Sequence, residues 1–270
     1  MKMLPTVLMT LSAVVLAGSP ISIHAATPAA GVQRPIYANI SGEVLLDNER
    51  VLVQKFVIQP GQSTGAVQHY GPQLLVVIKG GVLVSQSTGR ATLWKDGRVF
   101  WPAGPTAPAG PTAPAEPAGP AGPAGPAGDA EETDAGSRNI GTTPIELIWV
   151  TLKPTPSPQK ASGIGPRDLY LSYPNVPGED LLDNDWVVVQ RFVLNPGQWE
   201  GVHAHHPNML YVFVKGGQWV SRSYKQARTD SGDSPDGSVG WMRTIDISEG
   251  HESGNIGKTP SEVVWVSLKK

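Results

Sequence analysis

The stretch GQWEGVHAHHPNMLYVFVKGG, Gly197–Gly217, decides how the rest of the chain is read. It reads as two β-strands joined by a short turn, with His203 and His205 two residues apart on the first. Successive strand side chains point to opposite faces, so these two imidazoles share a face and His206 takes the other. On the second strand Met209, Tyr211 and Phe213 alternate together and are expected to point inward. A third histidine, His251, follows in EGHESGN.

Working outward, the flanks of this stretch occur twice. EDLLDNDWVVVQRFVLNPG (179–197) matches EVLLDNERVLVQKFVIQPG (43–61) at 12 of 19 positions, with an offset of 136. NIGKTPSEVVWVSLK (255–269) matches NIGTTPIELIWVTLK (139–153) at 10 of 15, with an offset of 116. Lys215-Gly216-Gly217 matches Lys79-Gly80-Gly81. The chain therefore reads as a tandem duplication, with a first copy over 26–153, a linker over 154–174 and a second copy over 175–270.

The offset falls because the first copy holds an insertion, Pro102–Gly128, rich in Pro, Ala and Gly. Glycine recurs every third residue in places, but Ala107, Ala113 and Glu116 break the phase that a collagen helix requires. The segment reads as a stiff, solvated polyproline-type loop. Within each copy, short β-branched runs (51–58, 187–194), apolar runs entering Lys-Gly-Gly, and closing segments at 146–152 and 262–268 predict strands. Their Gly/Pro punctuation indicates an all-β sandwich or barrel.

Composition narrows the function classes. The chain has 270 residues and a formal net charge of −2, so no strong field draws nucleic acid or an anionic membrane. It has no cysteine, which excludes disulfides, thiolate ligands and a thiol nucleophile. Lys2, an apolar run over Leu4–Gly18 and a small-residue segment ending at Ala25 read as a secretory signal peptide, residues 1–25. That run is too short to span a bilayer as a helix. The mature protein is expected to be secreted or periplasmic, with no stable membrane insertion after cleavage.

In this order of motifs the chain resembles the cupin superfamily over nearly its whole mature length, as a two-domain bicupin. Gly197, five residues, His203-Ala204-His205 and Gly216 fit the first cupin motif, G(X)5HXH(X)3–4E(X)6G. His251, three residues and Asn255 fit the end of the second, G(X)5PXG(X)2H(X)3N. The resemblance implies two jelly-roll β-barrels and a metal centre at His203, His205 and His251. There are departures. The first motif's Glu falls at Met209, and the second motif's proline and first glycine are absent before His251. In the first copy the ligand positions are Val67, His69, Gln73 and Ala135, which implies that this barrel has lost its metal.

The residues alone point the same way. Of six histidines, four lie in the second copy, and the first copy manages without counterparts of His203 and His251. Imidazole suits Fe, Cu, Ni and Zn, one divalent ion is expected, and nothing in the sequence distinguishes among Fe, Mn, Cu, Ni and Zn. Three neutral ligands leave coordination positions open for substrate, water or dioxygen. Similarity to three-histidine cupins implies a dioxygenase. A non-catalytic protein holding a sugar or organic acid in its barrel, with the histidines as a polar rim, stays open beside it. A small-molecule ligand or substrate is the expected partner in either case, and a homo-oligomer is compatible with both.

Other candidates surround the histidines. Met209 reads as a soft copper ligand or as core filling. Glu200 reads as a general base, an alternative ligand or a solvated turn residue. Trp199, Trp219 and Trp241 are candidates for the cavity mouth, and Asn255 for a partner of His251 or a turn former.

Overall fold

A computed structural model describes residues 36–102, 135–153, 169–225 and 228–269. The signal segment 1–25, all but the first residue of the 102–128 insertion, and residues 154–168 of the linker lie outside these. The described residues are all-β apart from short turns, with no helix long and apolar enough to cross a membrane.

Eight strands make the first barrel: β1 (Glu43–Asp47), β2 (Val51–Ile58), β3 (Gln73–Lys79), β4 (Gly81–Ser85), β5 (Ala91–Trp94), β6 (Val99–Phe100), β7 (Ser137–Asn139) and β8 (Ile145–Leu152). Eight more make the second: β9 (Gly178–Asp183), β10 (Val187–Leu194), β11 (Met209–Lys215), β12 (Gly217–Ser223), β13 (Arg228–Ser234), β14 (Val239–Met242), β15 (His251–Asn255) and β16 (Ser261–Leu268). The first set forms sheets ordered β1-β2-β8-β3-β6 and β5-β4-β7. The second forms β9-β10-β16-β11-β14 and β13-β12-β15, the same order strand for strand.

Local chemistry fixes the turns. Asn48 Oδ1 accepts from the backbone N–H of Arg50 and Val51, and Asn184 Oδ1 from Trp186 and Val187, closing the β1–β2 and β9–β10 hairpins. The Lys-Gly-Gly turn of each copy needs its first glycine for space. A Cβ on Gly80 would sit 2.0 Å from Trp94 O, and one on Gly216 would sit 1.8 Å from Ser234 O. Asn139 and Asn255 act as matched latches. Each side-chain amide donates to two carbonyls, of Ile58 and Thr143 or of Leu194 and Thr259, and each Oδ1 accepts from a glycine N–H. Asn255 is thus a turn former and not a partner of His251.

The two five-stranded sheets face each other. Val51, Val53, Leu74, Val76, Ile78, Ile148, Val150 and Leu152 meet Val187, Val189, Leu210, Val212, Val214, Val264, Val266 and Leu268 in one buried cluster. Alternate residues of the same strands face into the barrels. Phe56, Leu75, Val77, Leu147 and Trp149 fill the first, and Phe192, Met209, Val263 and Trp265 the second. Both faces of each sheet carry buried apolar residues, so β2 and β10 are apolar at consecutive positions except at Gln54-Lys55 and Gln190-Arg191. Each aliphatic side chain in the shared layer contributes roughly 1.5–3 kcal/mol of burial.

Leu171 and Tyr173, read from the sequence as linker, belong to the interior cluster of the second barrel. Tyr173 packs on Phe192 with ring centroids 4.3 Å apart. Tyr37 stands 136 residues earlier and packs on Phe56 at 4.9 Å in the first barrel.

Candidate metal centre

The segment carrying His203 and His205 is not a regular strand. It makes isolated bridges, Trp199 with Gly254 and His205 with Ile245. Its backbone is held by bonds from Glu200 N to Ser253 O (2.9 Å), His203 N to His251 O (3.0 Å) and His205 N to Ile245 O (2.9 Å). Laid along β15 in this way, it still sends both imidazoles to one side. Asn208, at φ +63°, turns the chain from the histidines into β11; asparagine tolerates this left-handed region better than most residues. His251 opens β15 directly after Gly250, whose φ of +64° ends the one-turn helix Ile247–Glu249.

The three imidazoles converge. Their potential ligand atoms lie within 4.8 Å of one another, and all three residues are buried. His203 Nε2 and His205 Nε2 are 2.9 Å apart. Two donors about 2.1 Å from one ion, at right angles, are about 3.0 Å apart, so the spacing fits a shared metal. His203 Nδ1 is 2.8 Å from Gly201 O, an acceptor only, so Nδ1 carries the proton and Nε2 keeps its lone pair. His251 Nδ1 is 3.3 Å from Ser221 Oγ. His205 Nδ1 is buried with no hydrogen-bond partner among the described residues.

Burial keeps the rings neutral, the form that binds metal. It lowers His203 to about 4, against the raising effect of the Gly201 bond. It lowers His205 to about 2, aided by His203 and His251. His251 is lowered as well, first by burial and then by Arg243.

Glu200 is no solvated turn residue. It is 7% exposed, accepts from Ser253 N at 3.1 Å, and places Oε2 3.8 Å from His203 Nε2. Burial lifts its carboxyl to about 7, opposed by Tyr173 and Ser253. Met209 is fully buried in the interior cluster. Tyr211 and Phe213 line a cavity of about 260 Å³ that reaches His251, with Trp219, Trp265 and Arg243 also in its wall. Trp241 takes no part. It pairs with Leu210 across β11 and β14, so it shares Leu210's face and packs on the layer between the barrels. His206 is half-buried and outside the histidine cluster.

The sequence reading missed several neighbours. Tyr173 packs edge-on to His203, with centroids 4.5 Å apart. Trp265 lies 5.0 Å from the His205 ring. Arg222 stacks 3.8 Å over Trp199 and pairs with Glu252. The repeat YANISGE/YPNVPGE, beginning at Tyr37 and Tyr173, was the signal that would have moved Tyr173 out of the linker.

No family model and no curated protein matches the sequence. Solved structures do match in shape. A putative glyoxylate-induced protein from Pseudomonas aeruginosa aligns over 88% of this chain and 83% of its own, at 15% identity and TM-score 0.52. AerE from Microcystis aeruginosa aligns over 88% and 96%, at 10% identity and TM-score 0.51. A cupin 2 conserved barrel domain protein from Leptotrichia buccalis aligns over 88% and 92%, at 9% identity and TM-score 0.46.

Proposed function

From a chain that carries the cupin fold twice, we propose a protein that holds one divalent metal ion in its second barrel and offers it to a small organic molecule. The observation that carries this reading is the convergence of three buried imidazoles, His203, His205 and His251, of which His251 opens onto an aromatic-walled cavity. The donor set fits the group. Each ring is kept neutral by burial, and the Nδ1 atoms of His203 and His251 have second partners that steer Nε2 toward the centre.

When bound, a divalent ion with three neutral ligands supplies Lewis acidity and, for a redox-active metal, dioxygen chemistry. The protein's own part is orientation and exclusion of water. Tyr211, Phe213, Trp219 and Trp265 give the cavity a flat, apolar wall that suits an unsaturated or aromatic body. Arg222, Arg243, Asp230, His251 and three serines are the polar groups of its wall. Among enzymatic assignments, a dioxygenase-type oxidoreductase agrees with this combination. Export through the segment 1–25 is part of the same proposal.

The test is elemental mass spectrometry on mature protein without a histidine tag, beside His203→Val/His251→Ala, which installs the first barrel's residues. About one equivalent of a transition metal in the parent, and less than a tenth of that in the variant, is expected. Oxygen consumption with small aromatic acids, diketones and thiols then separates an oxygenase from a binder. Absence of metal after reconstitution overturns the proposal and leaves a barrel that holds its ligand with side chains alone.

A further inference from the structure

We infer that Glu200 is the anionic ligand of the metal centre, replacing the carboxylate that the first cupin motif places at the position of Met209. The inference rests on the three-histidine reading above and adds a fourth donor from a different part of the chain.

Three observations carry it. The first is burial without a counter-ion. A carboxylate this enclosed is ordinarily paired with a cation or bound to a metal. Among the described residues no lysine or arginine reaches Glu200, and the single ion-pair contact is His203 Nε2 at 3.8 Å. That nitrogen is the lone-pair side of the ring, because Nδ1 faces the carbonyl of Gly201. Two acceptors thus face each other with nothing positive between them. The donors on the carboxylate are neutral: Ser253 N–H and the hydroxyls of Tyr173 and Ser253.

The second observation is reach. Two donors each about 2.1 Å from one ion are at most about 4.2 Å apart, and the 3.8 Å to His203 lies inside that limit; the carboxylate stands beside the 4.8 Å cluster of the three imidazoles, not within it, so ligation requires its side chain to turn toward them. Met209 cannot serve in this way: its side chain is fully buried among apolar neighbours and carries no charge.

The third is the other barrel. Thr64 stands 136 residues before Glu200. Its Oγ1 accepts from Ser137 N at 2.9 Å, just as Glu200 accepts from Ser253 N, and it donates to Gly65 O. A short neutral side chain therefore satisfies the scaffold at this position. The carboxylate is present in the barrel that gathers three histidines and absent from the barrel that has one. With the carboxylate bound, the enclosed centre would hold a net charge of +1 instead of +2, which lowers the cost of burying a dication.

The experiment titrates metal-free mature protein with Co(II), followed by visible absorption, and with Cu(II), followed by electron paramagnetic resonance. It compares the parent with Glu200→Gln, Glu200→Thr and His203→Val/His251→Ala. Both Glu200 variants are expected to bind Co(II) at least about tenfold more weakly and to shift the Cu(II) spectrum, as loss of an oxygen donor requires. Glu200→Thr should also melt higher than the parent without metal, because it removes a buried carboxylate that has no counter-ion, and gain less from added metal. Binding within twofold of the parent in both Glu200 variants, with loss in the histidine variant, overturns this inference alone. Weaker binding with an unchanged Cu(II) spectrum overturns direct ligation. Binding retained in the histidine variant overturns the three-histidine reading and this one together.

Discussion

The two barrels share strand order, turns and latches, yet their centres differ in how polar groups are satisfied. In the first, His69 Nδ1 meets Gln73 Oε1 at 3.0 Å, and Gln73 Nε2 donates to Thr151 at 3.0 Å. Trp149 donates to Tyr37 OH at 3.0 Å. In the second, Met209 and Ser267 replace Gln73 and Thr151, and His205 Nδ1 and Trp265 Nε1 are left without partners. A closed hydrogen-bond chain gives a scaffold core; opening that chain frees imidazoles for another purpose. The fold tolerates both states because its stability comes from the clusters on the two sheet faces.

The largest test of that equivalence is truncation in the shared layer. Leu74→Ala and Leu210→Ala occupy matching places, both fully buried. Each should cost about 2–5 kcal/mol by chemical denaturation, and the two values should agree within about 1 kcal/mol. A large inequality would show that the layer is not evenly shared. Next are the latches. Asn139→Ala and Asn255→Ala each remove three hydrogen bonds and should each cost about 2–3 kcal/mol. A selective loss of metal affinity in Asn255→Ala, without that loss of stability, would return Asn255 to the site.

Smaller effects should separate the barrels. Tyr37→Phe strands the buried Trp149 N–H and should cost about 1–3 kcal/mol. Tyr173→Phe instead removes a hydroxyl that serves the Glu200 carboxyl, since Trp265 Nε1 has no such partner, and should push the Glu200 pKa further up. The response to acid is finer still. His203 has its pKa lowered from 6.5 to about 4 in the folded protein. Its contribution is therefore fully present above pH 6.5 and is lost as pH falls toward 4, where the unfolded chain takes up protons first. Glu200, raised to about 7, acts in the opposite sense: its contribution is present below 4.5 and lost as pH rises through 7. Over pH 6.5 to 4.5 the three imidazoles outweigh the one carboxyl, so metal-free protein should lose stability on acidification. Each excess proton steepens the slope by about 1.4 kcal/mol per pH unit. Urea midpoints at pH 8, 6.5 and 5 should show the gap between parent and His203→Val/His251→Ala changing over that interval.

Much of the architecture was readable because its determinants are local. Asn48 and Asn184 at the hairpins dictate turns within a few residues of themselves. The histidine pair was readable from its spacing. What escaped depends on distant partners. Glu200 looked like a loop residue because the N–H that donates to it lies 53 residues downstream. Trp241 looked like a cavity residue because its side is set by register against Leu210. The irregular path of 199–205 follows from bridges to Gly254 and Ile245, which no local propensity encodes.

The apolar layer between the barrels has a further consequence for cooperativity. Each half contributes eight aliphatic side chains, and separating the halves exposes both sets together. Neither half can melt early without stripping the other, so the chain is built to unfold in one transition despite its two centres. A single barrel expressed alone would present a face already shaped to fit its own likeness, and a twofold pair of identical barrels is the simplest way for that fragment to remain in solution.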